Sequence, residues 1–149
     1  MHALTAEQVQ GDLVTRADVA ALLRHFYGQV IDDDILALPF ADIAMNGLDS
    51  HLPVMCDFRE TVLFRAGLYH GSAMRAHQLV HNRHMLTASH FLRWLTLWKS
   101  TIDQMYGGPV AERAKIQAVR IAWAMHRRLT GEESEALDGL VRQGIPPHP

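Results

Sequence analysis

Three amphipathic segments lie between His51 and Trp98: HLPVMCDFR (51–59), MRAHQLVH (74–81) and HFLRWLTLW (90–98). Within each segment, apolar residues recur at the three- and four-residue spacing that brings them onto one face of a helix. We therefore predict three successive helices here, with Gly67 and Gly71 in the break between the first two.

The apolar positions also predict which side of each helix points inward. The first helix is expected to begin near Asp49 or Ser50, with Pro53 tolerated in its first turn. Its predicted inner face consists of His51, Met55, Phe58 and Val62. A short helix is predicted over 74–82. Thr87 is the predicted N-cap of a long helix that continues to about Tyr106.

Helical spacing continues on both sides of this stretch. Thr15 is a predicted N-cap, and the acidic run 32–34 ends the helix that follows it. The apolar stripe of that helix comprises Val19, Leu22, Leu23, Phe26, Tyr27 and Val30. Pro109 is predicted to begin a last core helix that ends near Leu129. The segment TGEE (130–133) resembles a capping box for a short terminal helix.

Length and composition predict a single domain over residues 1–149, and the helical spacing along the chain, without a credible strand, predicts that it is all-α. We expect a core of about 15–129 and a frayed end after the terminal helix. The chain is 48% hydrophobic, and its formal charge of −2 does not favour nucleic acid or an anionic membrane as a partner. Cys56 is its only cysteine, so no intramolecular disulfide is possible. No signal peptide or membrane-spanning run is visible, and we expect a cytoplasmic protein.

The histidines of the central stretch point to metal chemistry. His51 and His77 lie on two predicted helices, and an aromatic helix with Phe91 and Trp94 follows them. A buried iron porphyrin needs one imidazole nitrogen as an iron ligand and a polar group near the ligand on the other face. This pattern predicts a haem protein that binds a diatomic gas.

Each of these residues also has a simpler interpretation. His77, His81 and His84 can instead form a non-haem metal site or a solvated turn in a structural helical module. Tyr27 can anchor its hydroxyl to a backbone carbonyl, and Phe91 can be an ordinary core residue. The HExxH, Glu-x-x-His, phosphate-loop and Gly-x-Ser-x-Gly motifs do not occur, which argues against the corresponding enzyme classes.

Five segments in order resemble the truncated haemoglobins of group III. LLRHFYGQV (22–30) is similar to their first core helix, and ILALPF (35–40) is similar to the segment that ends in a haem-stacking phenylalanine. The three segments of the central stretch resemble the distal helix, the proximal helix and the helix that follows. The resemblance covers about residues 15–127. It implies a 2-on-2 helical sandwich that encloses haem b.

The resemblance also implies roles for individual residues. His77 falls on the iron-binding position, and His51 falls on the distal histidine, which we expect to act as a gate. Tyr27 and Trp94 fall on positions that donate hydrogen bonds to the bound ligand, with His51 beside them. The residues implied to contact the haem are Phe26, Phe40, Met55, Phe58, Arg59, Met74, Phe91 and Trp94.

Two details of the sequence bear on the group. Group III proteins lack the Gly-Gly hinges of other truncated globins, and the only Gly-Gly here is 107–108. The family commonly has an aromatic residue where this chain has Arg59, whose guanidinium would lie near a haem propionate. The implied partners are oxygen, nitric oxide and carbon monoxide, with a reductase, and the implied state is a monomer. Nitric-oxide or peroxide detoxification, by a dioxygenase or peroxidase-like activity, stays open beside simple ligand binding.

Overall fold

The computed structural model describes residues 10–41, 45, 47–64, 73–83 and 85–144, and only the backbone of 64, 73–76, 83 and 144. These residues form six helices, named here in chain order: α1 Arg16–Asp32, α2 Leu48–Phe64, α3 Ala73–Arg83, α4 Ala88–Met105, α5 Pro109–Thr130 and α6 Glu135–Gly144. No strand occurs in the described part of the chain, so the all-α prediction is confirmed. None of the described helices has the length and apolar character needed to cross a membrane.

The caps of α1 and α4 lie at the predicted threonines. The backbone N–H of Asp18 donates to Thr15 Oγ1 at 3.2 Å, and the Asp18 carboxylate accepts the N–H of Thr15 at 3.0 Å. This reciprocal pair is a capping box, and it satisfies amides that the helix itself leaves unpaired. At α4 the Thr87 N–H donates to His90 Nδ1 at 2.9 Å, so a histidine takes the place of the usual glutamate.

The turn after α1 is held by a buried carboxylate. Asp33 Oδ2 accepts the backbone N–H groups of Ile35 and Leu36 at 3.0 and 3.1 Å, while Oδ1 pairs with Arg93 Nε of α4 at 2.7 Å. Burial alone would raise the pKa of Asp33, but the Arg93 side chain and the two amides hold it below its ordinary value. The turn that leads to Phe40 is thereby fixed against α4.

The N-terminus of α5 is capped from a distant part of the chain. Gly108 is the N-cap residue and has no side chain, but the Asp12 carboxylate accepts the N–H groups of Val110 and Ala111 at 2.8 and 2.7 Å. Gly108 has a φ of +137°, and a Cβ there would lie 2.7 Å from Asp12 Oδ2. Glycine is therefore required by both the backbone conformation and the close approach of the cap.

The predicted capping box at 130–133 is wrong, because α6 begins at Glu135, four residues after the start that a Thr130 cap would give. Gly131 ends α5 in the left-handed conformation with a φ of +71°. The Thr130 hydroxyl donates to the His126 carbonyl instead of capping α6. Ser134 caps the start of α6 instead: its Oγ accepts the N–H of Leu137 at 3.3 Å, and its carbonyl accepts the N–H of Asp138 at 2.9 Å.

The helices pack as two pairs around a shared core. α1 packs on α2 and α4 packs on α5, while α1 also contacts α4 and α2 also contacts α5. Arg16 links the first pair through Asp57 and Glu60, at 2.7 and 2.8 Å. Trp98 links the second pair, since its indole N–H donates to the Ala114 carbonyl at 3.2 Å. α3 packs mainly on α5, and α6 packs on α5 and α4.

The inward face of α2 differs from the prediction by one position. The buried residues are Leu52, Cys56, Arg59, Glu60 and Leu63, whereas the predicted residues His51, Met55, Phe58 and Val62 are half-buried. The reason is that α2 has two apolar neighbours. One side packs on α1, and Met55 and Phe58 of the other side line a cavity.

Candidate functional site

A mostly apolar cavity lies between the helices and opens to solvent on one side. It encloses about 170 Å³. All of α1 to α5 contribute to its wall, together with the turn after α1 and the residues before α4. A site with walls from so many elements depends on the whole fold, which is typical of cofactor and ligand pockets in helical proteins.

Most of the site residues predicted from the sequence meet in this wall. The predicted residues that line the cavity are Tyr27, Phe40, Met55, Phe58, Arg59, His77, Phe91 and Trp94. They come from stretches of sequence that lie far apart, and periodicity alone does not bring them together.

The other predicted residues are not in the wall. Phe26 is fully buried behind it and contacts Tyr27, Trp94 and Trp98 edge to face, with ring centres 4.8, 5.4 and 5.0 Å away. It therefore positions two wall residues and does not itself face the cavity. His51 is half-buried and does not line the cavity, and the side chain of Met74 lies outside the described residues.

Tyr27, Arg59 and Trp94 form the polar part of the wall. Burial raises the pKa of the Tyr27 phenol, while the Arg59 charge and the Trp94 indole N–H partly oppose that rise. The hydroxyl of Tyr27 consequently keeps its proton at neutral and moderately alkaline pH. A protonated phenol in an apolar cavity is a hydrogen-bond donor available to a ligand.

Arg59 is buried in the wall, with 7% of its surface exposed. Its guanidinium carbon lies 4.5 Å from the ring centre of Trp98, 5.4 Å from that of Trp94 and 5.3 Å from that of Phe58. These are cation–π distances. Burial lowers the pKa of Arg59, and the nearby Tyr27 opposes this effect. Arginine nevertheless remains charged because its ordinary pKa is so high.

Two histidines near the cavity each accept a backbone N–H group at Nδ1. The N–H of Leu86 donates to His81 Nδ1 at 3.0 Å, and the N–H of Thr87 donates to His90 Nδ1 at 2.9 Å. In the neutral form, each of these two imidazoles must therefore carry its proton on Nε2 and has no free lone pair for a metal. His77 is half-buried and lines the cavity, whereas His81 does not.

Sequence reasoning missed His90 as a wall residue. It lines the cavity, and burial lowers its pKa. Its spacing of four residues before Trp94 was a signal that both side chains share one helix face. Ile121, Ala122 and Met125 of α5 also line the cavity. Apolar spacing in the sequence cannot distinguish a residue of the core from a residue of a cavity wall.

A His-rich metal cluster was the alternative prediction for α3. In the described part of the chain, no group of three His, Cys, Asp or Glu side chains is arranged to hold a metal ion. His84, which completes the predicted set with His77 and His81, lies outside the described residues.

Comparison of the chain with protein-family models, with curated proteins and with solved structures finds no match.

Proposed function

We propose that this protein binds haem b in the cavity, with His77 as the iron ligand, and that it binds oxygen and other diatomic gases there. One observation carries the proposal: the cavity brings His77 together with Tyr27, Trp94 and an apolar wall. A proximal imidazole, a polar donor group and exclusion of water are what a gas-binding haem requires. The same proposal includes nitric oxide and carbon monoxide as ligands and a reductase that keeps the iron ferrous.

The packing of the helices supports a truncated globin of group III. The proposed 2-on-2 sandwich consists of two helix pairs that cross over the haem. The contacts of α1 with α2, of α4 with α5, and between these two pairs are compatible with that arrangement. The position of His77 on a separate short helix, α3, is compatible with its role as the proximal ligand.

The residues of the wall fit a haem on chemical grounds. Phe40, Met55, Phe58 and Phe91 offer apolar and aromatic surface to a porphyrin. Of the described histidines in this region, His81 and His90 have Nδ1 occupied by a backbone N–H. Coordination through Nε2 would require either ring to give up a proton. The proposal selects His77 because it lies on α3 and lines the cavity, whereas His81 on the same helix does not.

Haem b, when bound, supplies an iron atom that can bind a diatomic gas. The chain supplies the surroundings of that atom. Tyr27 holds a proton on its hydroxyl because burial raises its pKa, and the indole N–H of Trp94 interacts with the same hydroxyl. The apolar side chains around them limit the water that would compete for the phenol proton. A ligand with partial negative charge, such as oxygen, gains more from these donors than carbon monoxide does.

The test is a titration of the purified protein with haem, followed by visible absorption. We expect an intense Soret band at one haem per chain in the wild type. His77→Ala should hold haem weakly, and added imidazole should restore part of the binding because it replaces the missing ligand. His81→Ala is the matched control, since it removes a histidine one helical turn away and should leave the spectrum unchanged.

The result that contradicts the assignment is also specific. Loss of haem in His81→Ala with an unchanged spectrum in His77→Ala would show that His81, and not His77, is the iron ligand. Absence of a Soret band in the wild type would end the proposal.

A further inference from the structure

Arg59 is a buried cation whose charge is not balanced in the described structure. No described carboxylate pairs with it. Its chain neighbour Glu60 is engaged with Arg16 of α1 at 2.8 Å. The rings of Trp98, Trp94 and Phe58 attract the charge of the guanidinium group, but they cannot accept its N–H groups as a carboxylate would. Burial of an ion without a counter-ion is costly, which makes this position unusual for a purely structural residue.

The cavity beside Arg59 is rich in hydrogen-bond donors and lacks acidic groups. Its described polar lining consists of Tyr27, Arg59, Trp94 and two histidines, and no aspartate or glutamate lines it. The Tyr27 hydroxyl is close enough to Arg59 for the two to influence each other's charge. Hydrogen-bond donors in the wall of an apolar cavity favour a negatively charged ligand, because the low dielectric strengthens each interaction.

The shape of the arginine side chain limits which anions fit the site. A guanidinium group is planar and presents paired N–H donors that match two oxygen atoms in one plane. A carboxylate or a nitrite ion offers this arrangement, whereas a halide offers a single point of charge.

We infer that the cavity binds a small planar anion with two oxygen atoms, nitrite or a simple carboxylate, through Arg59 with Tyr27 as a second donor. This goes beyond the proposed function, because the site consists of protein side chains and does not require haem.

The experiment is calorimetric titration of sodium nitrite and of sodium formate into the purified protein, before and after addition of haem. Arg59→Met removes the charge and keeps an unbranched apolar side chain. Arg59→Lys keeps the charge but loses the planar fork, and it serves if Arg59→Met does not fold. Arg120→Met is the matched control, since Arg120 lies on the exposed side of α5 and does not line the cavity.

We expect nitrite and formate to bind the wild type and Arg120→Met alike. Binding should be about ten- to a hundredfold weaker in Arg59→Met, which corresponds to the loss of a charge-assisted hydrogen-bonded pair. Arg59→Lys should fall between them. Chloride at equal ionic strength should not compete, whereas it would compete for a simple surface charge.

Three results would overturn the inference: no binding of either anion to the wild type, equal binding by wild type and Arg59→Met, or an equal loss in Arg120→Met. A haem propionate is a second possible source of the same carboxylate chemistry. Haem with esterified propionates tests it, because an Arg59–propionate pair would make wild type, but not Arg59→Met, discriminate between haem and its ester. That discrimination would also overturn the inference. The Soret band reports separately on haem, so failure of one proposal is distinguishable from failure of the other.

Discussion

Tyr27 combines a position in the core with a polar group that faces the cavity. Its ring packs against Phe26 and Phe40, with ring centres 4.8 and 6.0 Å away, so the hydroxyl has little freedom to move. A donor that is already oriented loses little entropy when a ligand accepts its hydrogen. Removal of the Tyr27 hydroxyl should accordingly change the binding of a ligand more than removal of any other single oxygen atom in the cavity wall.

We expect Tyr27→Phe to release oxygen faster than the wild type. A hydrogen bond to a partly charged group contributes about 1.5–3 kcal/mol, equal to a factor of roughly ten to over a hundred in the dissociation rate. Carbon monoxide is less polar when bound, so its dissociation should change less. Stopped-flow measurement of both ligands checks this, and equal oxygen dissociation rates in the two proteins would exclude the role of Tyr27.

The environment of His51 differs from that of Tyr27. Its Nε2 is buried and has no hydrogen-bond partner among the described residues. An unsatisfied buried nitrogen costs free energy, and rotation toward water would relieve that cost. This is compatible with the gate predicted for His51, although the side chain does not line the cavity.

The N-terminus of α5 depends on one carboxylate, that of Asp12. Burial would raise the pKa of Asp12, but the backbone N–H groups of Val110, Ala111 and Leu13 together hold it below its ordinary value. The ionised carboxylate also lies at the positive end of the helix dipole. Asp12 contributes its capping energy only while it is ionised.

Asp12→Asn should therefore lower the free energy of unfolding at pH 7 by about 0.5–2 kcal/mol, the range for a lost N-terminal cap. Because the folded pKa is the lower one, the stabilisation is present above the unfolded pKa of about 4 and is lost as the pH falls through the folded value. Urea unfolding at a series of pH values measures this, with the exposed Asp34→Asn as the control. A difference between Asp12→Asn and wild type that does not shrink in acid would contradict the role.

The helix caps show which features of the fold can be predicted from the sequence. Thr15 and Thr87 are recognisable because a cap acts on the residues that follow it directly. Asp12 is not recognisable, since its partners Val110 and Ala111 lie 98 and 99 residues away. The inward face of α2 was predicted one position away from the observed face for a similar reason. Apolar periodicity predicts a single apolar side, whereas α2 lies between α1 and the cavity and has two.

At the scale of the whole molecule, prediction of the site depended on resemblance more than on pattern. The motifs predicted that Tyr27, Phe40, His77 and Trp94 belong to one site, and the cavity contains all four. The spacing within each helix contains no information about how α1 meets α3. The burial of Arg59 could not be predicted from the helical pattern, because a charged residue on an amphipathic helix is normally expected to reach solvent.

The cavity also couples the whole molecule to its least embedded helix. α1 and α5 each contact both α2 and α4, whereas α3 packs mainly on α5. Segments with few tertiary contacts open locally at low free-energy cost, so amides of α3 should exchange with solvent faster than those of α4.

A haem ligated by His77 would connect α3 to the opposite walls of the cavity. A ligand that binds only the closed form stabilises it by an amount that grows with the logarithm of the free ligand concentration, about 2.7 kcal/mol at a hundredfold excess over Kd. We therefore expect haem to slow hydrogen exchange in α3 by up to about a hundredfold, with a smaller effect in α4, as measured by mass spectrometry. His77→Ala with saturating haem is the decisive comparison, because it removes the link while the porphyrin still fills the cavity. If α3 gains the same protection in His77→Ala as in the wild type, the cavity is filled but His77 is not the residue that binds the iron.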